Sequence, residues 1–159
     1  MKSQADHVQA LLGTTGEQVH SAAQAFQQGG LRRELRKFRS LAPGATLIGA
    51  LLTLGHPVPQ DAPTRELPGQ MVVALTDRRL LFYTQGGTGI AKAKKLVHEV
   101  DRADVVGLEQ PDLVEGVLKV LRAGVLTRDG TVLRFEFGRV AIAEGTRMLE
   151  ELGRDLRNT

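Results

Sequence analysis

Five cations crowd nine positions near the start of this chain. Arg32, Arg33, Arg36, Lys37 and Arg39 stand within LRRELRKFR, opposed only by Glu34. Leu31, Leu35 and Phe38 recur at i, i+4 and i+7, which predicts a helix over 31–41 with one apolar face and a basic remainder. Such a helix can lie on an anionic membrane, its apolar residues inserted and its arginines at the headgroups. Three anchors are few for insertion, and the expected reading is that they dock on the body of a domain and leave the cations solvated.

A second group of cations follows a glycine-rich run. GGTGIAKAKK, residues 86–95, places Lys92, Lys94 and Lys95 after Gly86, Gly87 and Gly89, and reads as a flexible loop from Gln85 that continues into the lysines. A phosphate-cradling loop needs Gly-Lys followed by a hydroxyl after four spacers, but Ala91 stands where that glycine belongs. A dinucleotide fingerprint needs a third glycine where Lys92 stands. Nucleotide binding is therefore not expected, although these lysines can meet an anion.

The remaining reactive side chains do not assemble along the sequence. His7, His20, His56 and His98 are scattered, and none shares metal-ligand spacing with a second ligand. Asp101, Asp104, Glu109 and Asp112 crowd one region, but without the alternation around glycine that a calcium loop requires. Ser3, Ser21 and Ser40 have no base beside them and no G-x-S-x-G setting. The chain has no cysteine, which removes thiol chemistry and thiolate metal sites. No catalytic residue, cofactor or metal is expected. Aromatics number five Phe and one Tyr, several of them in strands, so the stacking surface of a nucleic-acid reader is not expected either.

The elements that must carry these residues are clearer in the second half. Met71–Leu75 and Leu80–Thr84 are β-rich runs joined by Thr76-Asp77-Arg78-Arg79 as a hairpin. Leu96–Val100 and Val105–Leu108 predict short strands, and Val117–Thr127 a central strand apolar on both faces. Asp129-Gly130 predicts a hairpin turn into Thr131–Phe137, with Leu133, Phe135 and Phe137 on one face and Arg134 and Glu136 on the other. A helix from about Val140 to Arg157 buries Ile142, Leu149, Leu152 and Leu156, with Met148 beside them. Upstream, Ser3 caps a short helix ending near Gly13, and Glu17–Phe26 suits a first strand, although its alanines suit a helix equally well. Ala45–Leu54 is apolar and of ambiguous type, and four prolines make Gly55–Gly69 a loop.

With 159 residues, 42% hydrophobic and 25% charged, the chain is long enough for one domain with a real core. No stretch approaches the roughly 18 apolar residues of a membrane-spanning helix, and Met1–His7 is polar, so a cytoplasmic protein is expected. The net charge of +3 is too small to point to a polyanion.

VVALTDRRLLFY at Val72–Tyr83 resembles the second and third strands of bacterial PH-like and GRAM-like domains. Val97-His98-Glu99-Val100 with Asp104-Val105-Val106, the Asp129-Gly130-Thr131 hairpin and the terminal helix are similar to the later parts of that family, over about residues 70–157. The resemblance implies a single α+β domain, mainly β, over 1–159. Its expected parts are an N-terminal helix at 1–15, a first strand at 17–27, a partly helical insertion at 29–69, and core hairpins with the closing helix at 70–157. The shell is then an antiparallel β-sandwich or open barrel of six to seven strands. The chain lacks both a tryptophan and the lysine-rich pattern of inositol-phosphate readers, so the fold is implied more strongly than lipid recognition.

The function expected is a non-enzymatic binding module that recognises a protein partner or assembles with itself, chiefly through the 29–69 insertion. The alternative is peripheral attachment to an anionic membrane, at its inner face, through 31–41. A remoter alternative is an enzyme whose site the sequence does not display. The residues expected to touch a partner are Arg32, Arg33, Arg36, Lys37, Arg39, Lys92, Lys94 and Lys95.

Overall fold

The computed structural model describes residues 2–28, 44–47, 54–87, 91–115 and 118–158. The expected helix at 31–41, and with it Arg32, Arg33, Arg36, Lys37 and Arg39, lies outside the described residues.

Ser3 opens α1 (Gln4–Leu12) through a capping box. Its hydroxyl accepts the Asp6 N–H at 3.2 Å and the Asp6 carboxylate accepts the Ser3 N–H at 2.8 Å, which satisfies two otherwise orphaned donors. The Gln9 amide of α1 then acts on main chain: it donates to the Glu17 carbonyl and accepts the Val19 N–H, both at 2.8 Å. This pins the chain as it enters β1 (Val19–Gln27).

β4 (Gln70–Thr76), β5 (Arg79–Gly86) and β6 (Lys92–Asp101) follow β1 across one half of an antiparallel sheet. β4 is buried on both faces. Met71, Val73 and Leu75 enter the main core, whereas Val72 and Ala74 join Val8, Ala22, Leu81, Tyr83 and Ala93 beneath α1. The small side chains of β1, at Ala22, Ala23 and Ala25, suit a strand buried on both faces.

The other half holds β2 (Gly44–Leu47), β3 (Leu54–Gly55), β7 (Val105–Leu108), β8 (Asp112–Glu115), β9 (Val120–Thr127) and β10 (Val132–Gly138). β9 pairs with β10 on one side, and on the other with β8 along its first half and β7 along its second. The halves join where Phe26 and Gln27 of β1 meet Glu136 and Phe135 of β10. Both turn their apolar faces to one core, where Phe135 stands edge-on to Phe82 and to Phe137, with ring centroids 5.5 Å apart in each pair.

α2 (Ile142–Arg157) closes the core with Met148, Leu149 and Leu152, joined by the half-buried Ile142 and Leu156. Gly145 lets it approach: a Cβ there would overlap the Phe137 ring. Arg102, in a 3-10 turn at Arg102–Asp104, fastens the helix by a fork to Asp155 (both contacts 2.8 Å), a bond to Glu151 at 2.9 Å and one to the Thr76 carbonyl at 2.8 Å. Glu151 also meets His20 of β1 at 2.5 Å.

The fold class is α+β, mainly β, as expected. The strand count is not. Ten strands appear among the described residues instead of six or seven, because the 44–55 region supplies β2 and β3 and the acidic stretch after Pro111 supplies β8. The central strand runs Val120–Thr127, and Val117, its expected start, lies outside the described residues. The flexible loop expected from Gln85 into the lysines is a second correction: Gln85 and Gly86 pair with Ala93 and Lys92, so Lys92, Lys94 and Lys95 belong to β6. Lysines fit an edge strand because their charges reach water while the backbone stays paired on one side.

Candidate functional site

The four residues Thr76 to Arg79 do more than turn the chain. The Thr76 hydroxyl accepts the N–H groups of Arg78 and Arg79 at 3.0 and 2.8 Å. The Asp77 carboxylate accepts the Gln18 N–H at 2.9 Å, and Arg79 forks onto the buried Glu17. This motif is therefore a brace between the hairpin and the entry to β1. It leaves the functional surface to be sought elsewhere.

Three segments meet around an open cleft of about 560 Å³: the second half of β6, the turn between β9 and β10, and a stretch before β4. The last is extended because the Val132 N–H donates to the Pro63 carbonyl at 2.9 Å and the Arg65 N–H to the Val132 carbonyl at 3.1 Å. Leu67 anchors it in the core, and Arg65 reaches across to His98 of β6. The Nη1 of Arg65 lies 3.3 Å from Nδ1 of His98, whose ring leans on Phe82 with centroids 5.9 Å apart. Partial burial, and then the Arg65 charge, push the His98 pKa down, so the neutral ring is favoured with Nδ1 as acceptor.

The opposite wall is the β9–β10 turn. Gly130 takes φ 88°, which suits glycine, and the Asp129 carboxylate accepts the Thr131 N–H at 3.0 Å and its hydroxyl at 2.6 Å. Bonds from the Thr127 and Thr131 hydroxyls, and then the Thr131 N–H, hold the Asp129 carboxyl well below the usual range. Arg128 crosses to the 3-10 turn, meeting Asp104 at 3.2 Å and the Ala103 carbonyl at 2.9 Å.

The lining thus sets four carboxylates, Glu99, Asp101, Asp104 and Asp129, against Arg65 and Arg128. Glu99 is bonded to Arg79 and Asp104 to Arg128, whereas the exposed Asp101 carboxylate has no partner among the described residues. The surplus is acidic, which suits a basic group entering from solvent. Among the described residues no group of three or more histidines and carboxylates could hold a metal ion, and no helix is long and apolar enough to cross a membrane.

The residues expected to bind do not gather here. Lys92, Lys94 and Lys95 lie in the first half of β6, away from the cleft-lining end, exposed, with the Lys94 stem over Gly86. Arg65, His98, Asp101 and Arg128 escaped the sequence reading as a group, because only the fold joins the proline-rich stretch, β6 and the hairpin turn. The available signal was His98 itself, a titratable residue amid the apolar run Leu96–Val100. No family model matches the chain, and no curated protein or solved structure matches it.

Proposed function

We propose that this chain is a non-enzymatic interaction module of PH-like fold that recognises a protein partner through a basic segment. The observation that carries this is the cleft between β6 and the β9–β10 turn, whose carboxylates outnumber its guanidiniums. Its charged groups are largely tied to one another or to backbone, by Arg128 to Asp104, Glu99 to Arg79 and Asp129 to its own turn, which suits a fixed recognition surface. The antiparallel sheet closed by a terminal helix is compatible with a PH-like shell, where function resides in surfaces added to the scaffold.

The test is an amide-shift titration of the whole chain with three extended peptides of equal length, one basic, one neutral and one acidic. The basic peptide should move Arg65, His98, Asp101 and Arg128, and the Asp101→Lys chain should lose that response. Equal silence towards all three peptides overturns the proposal. Flotation of the chain with anionic vesicles, abolished by salt, would replace it by membrane attachment.

A further inference from the structure

β6 is the terminal strand of the sheet, paired with β5 on one side and with no described strand on the other. Its register with β5 is regular from His98 to Asp101, beyond the shift between Phe82 and Tyr83. Just past the strand, the Arg102 N–H donates to the Arg78 carbonyl at 2.8 Å. Such bonding recurs at every second residue of an antiparallel ladder, so Val100 and His98 also turn their main chain to β5. Arg79, opposite Asp101, gives the same phase from the other side. Its N–H donates to the Thr76 hydroxyl of β4 at 2.8 Å, and its carbonyl accepts from that hydroxyl at 3.1 Å. The N–H and carbonyl groups of Glu99 and Asp101 therefore point to the open edge.

Side chains alternate in the same way. His98 and Val100 pair with Phe82 and Leu80, which face the main core, and Glu99 pairs with Leu81 on the opposite face. Asp101 shares that face with Glu99. Arg79 already holds Glu99, so Asp101 is the carboxylate left exposed and unpaired among the described residues. The cleft opens along this stretch, since His98 to Asp101 line it. Lys92, Lys94 and Lys95 occupy the first half of the strand and repel a basic chain there.

We propose that an extended basic segment of a partner protein adds to β6 as an antiparallel strand along Glu99–Asp101, with a lysine or arginine opposite Asp101. This rests on reading the chain as a module for a basic segment and supplies the mode of recognition. Antiparallel is the sense of the β4–β5 and β5–β6 ladders. In that sense a residue opposite Asp101 exchanges both main-chain bonds with it and sets its side chain on the same face. Main-chain bonds supply affinity, while the acidic cleft and the lysines of β6 fix where along the edge the segment lies.

The probe is a capped seven-residue peptide of alternating lysine and threonine, titrated into the whole chain by NMR. In the free chain the amides of Glu99 and Asp101 should exchange rapidly and those of His98 and Val100 slowly, and the peptide should slow the first pair. N-methylation of its lysines removes the N–H groups that face β6 and should weaken binding about tenfold. N-methylation of its threonines should leave binding unchanged. Asp101→Pro tests the chain itself, because Asp101 has φ −61°, which proline adopts without strain, and its N–H faces the open edge. This variant should bind about fivefold more weakly than Asp101→Ala, the scale of one lost hydrogen bond. Should Asp101→Pro not fold, the methylated peptides decide alone. Methylated peptides that match each other, whether both bind or neither does, overturn the inference. If the parent peptide binds in that case, the interaction module stands and only the strand geometry falls. If the parent peptide does not bind and the chain is silent towards basic peptides in general, both fall.

Discussion

Glu17 and Arg79 lie 62 positions apart and meet by a fork, with Nε to Oε1 at 3.0 Å and Nη2 to Oε2 at 2.5 Å. The Glu17 side chain is only 3% exposed and the Arg79 side chain 25%, so the acid depends on its partner more than the base does. Thr76 adds a hydroxyl bond to the same carboxylate at 2.6 Å. Removing the guanidinium leaves a buried charge uncompensated, and Arg79→Ala should cost about 2–4 kcal/mol in urea unfolding. Arg79→Lys keeps the charge without the fork and should recover only part of that loss. The bond from Arg79 is the leading cause that lowers the Glu17 pKa from 4.5. The pair therefore stabilises fully above about that pH, and its contribution fades as the pH falls through the folded value.

His98 gives a second pH dependence at a higher range. Its pKa is lowered from 6.5, by burial first and by Arg65 second, with Asp129 and Glu99 acting the other way. The unfolded chain then binds a proton before the folded chain does. Stability should be complete above about pH 6.5, and should drop as the pH falls through the lower, folded value. His98→Asn should remove that part of the slope in melting curves recorded from neutral to mildly acidic pH. An identical slope in both chains would place the effect elsewhere.

Arg102 fastens α2 to both the 3-10 turn and β4, through Asp155, Glu151 and the Thr76 carbonyl. Arg102→Ala should cost about 2–3 kcal/mol, because it strands partly buried carboxylates and a carbonyl at once. The loss should be local. Amide exchange in α2 should speed up more than in β4, which is buried on both faces.

Gly145→Ala sets two effects against each other. Alanine favours a helix over glycine by about 1 kcal/mol, but the new methyl group overlaps the Phe137 ring. That ring is fully buried and wedged against Phe135, so it has little room to retreat. Overpacking of this kind costs about 1–3 kcal/mol, and the melting temperature should fall. A rise would mean that α2 can shift outward freely.

The hairpins and the closing helix were legible because their patterns are local. Alternation at Leu133, Phe135 and Phe137 and helical spacing at Leu149, Leu152 and Leu156 each report one buried face. β8 was hidden because Asp112-Leu113-Val114-Glu115 is short, follows Pro111 and is polar at both ends. The start of β6 was hidden because lysine and glycine signal loops, and only the pairing with Gln85 and Gly86 makes them strand. The cleft was illegible for a different reason. Arg65, His98 and Arg128 converge through contacts between distant segments, and no spacing along the chain encodes that meeting.

α1 has a practical bearing on how the protein can be handled. Without it, Val72, Ala74, Leu81, Tyr83 and Ala93 become a bare wall of strands. A preparation trimmed to begin at β1 would keep every strand yet crowd into insoluble clumps. The first dozen residues are what keeps the back of the sheet dry, and a tag or cleavage site placed there risks the solubility of everything behind it.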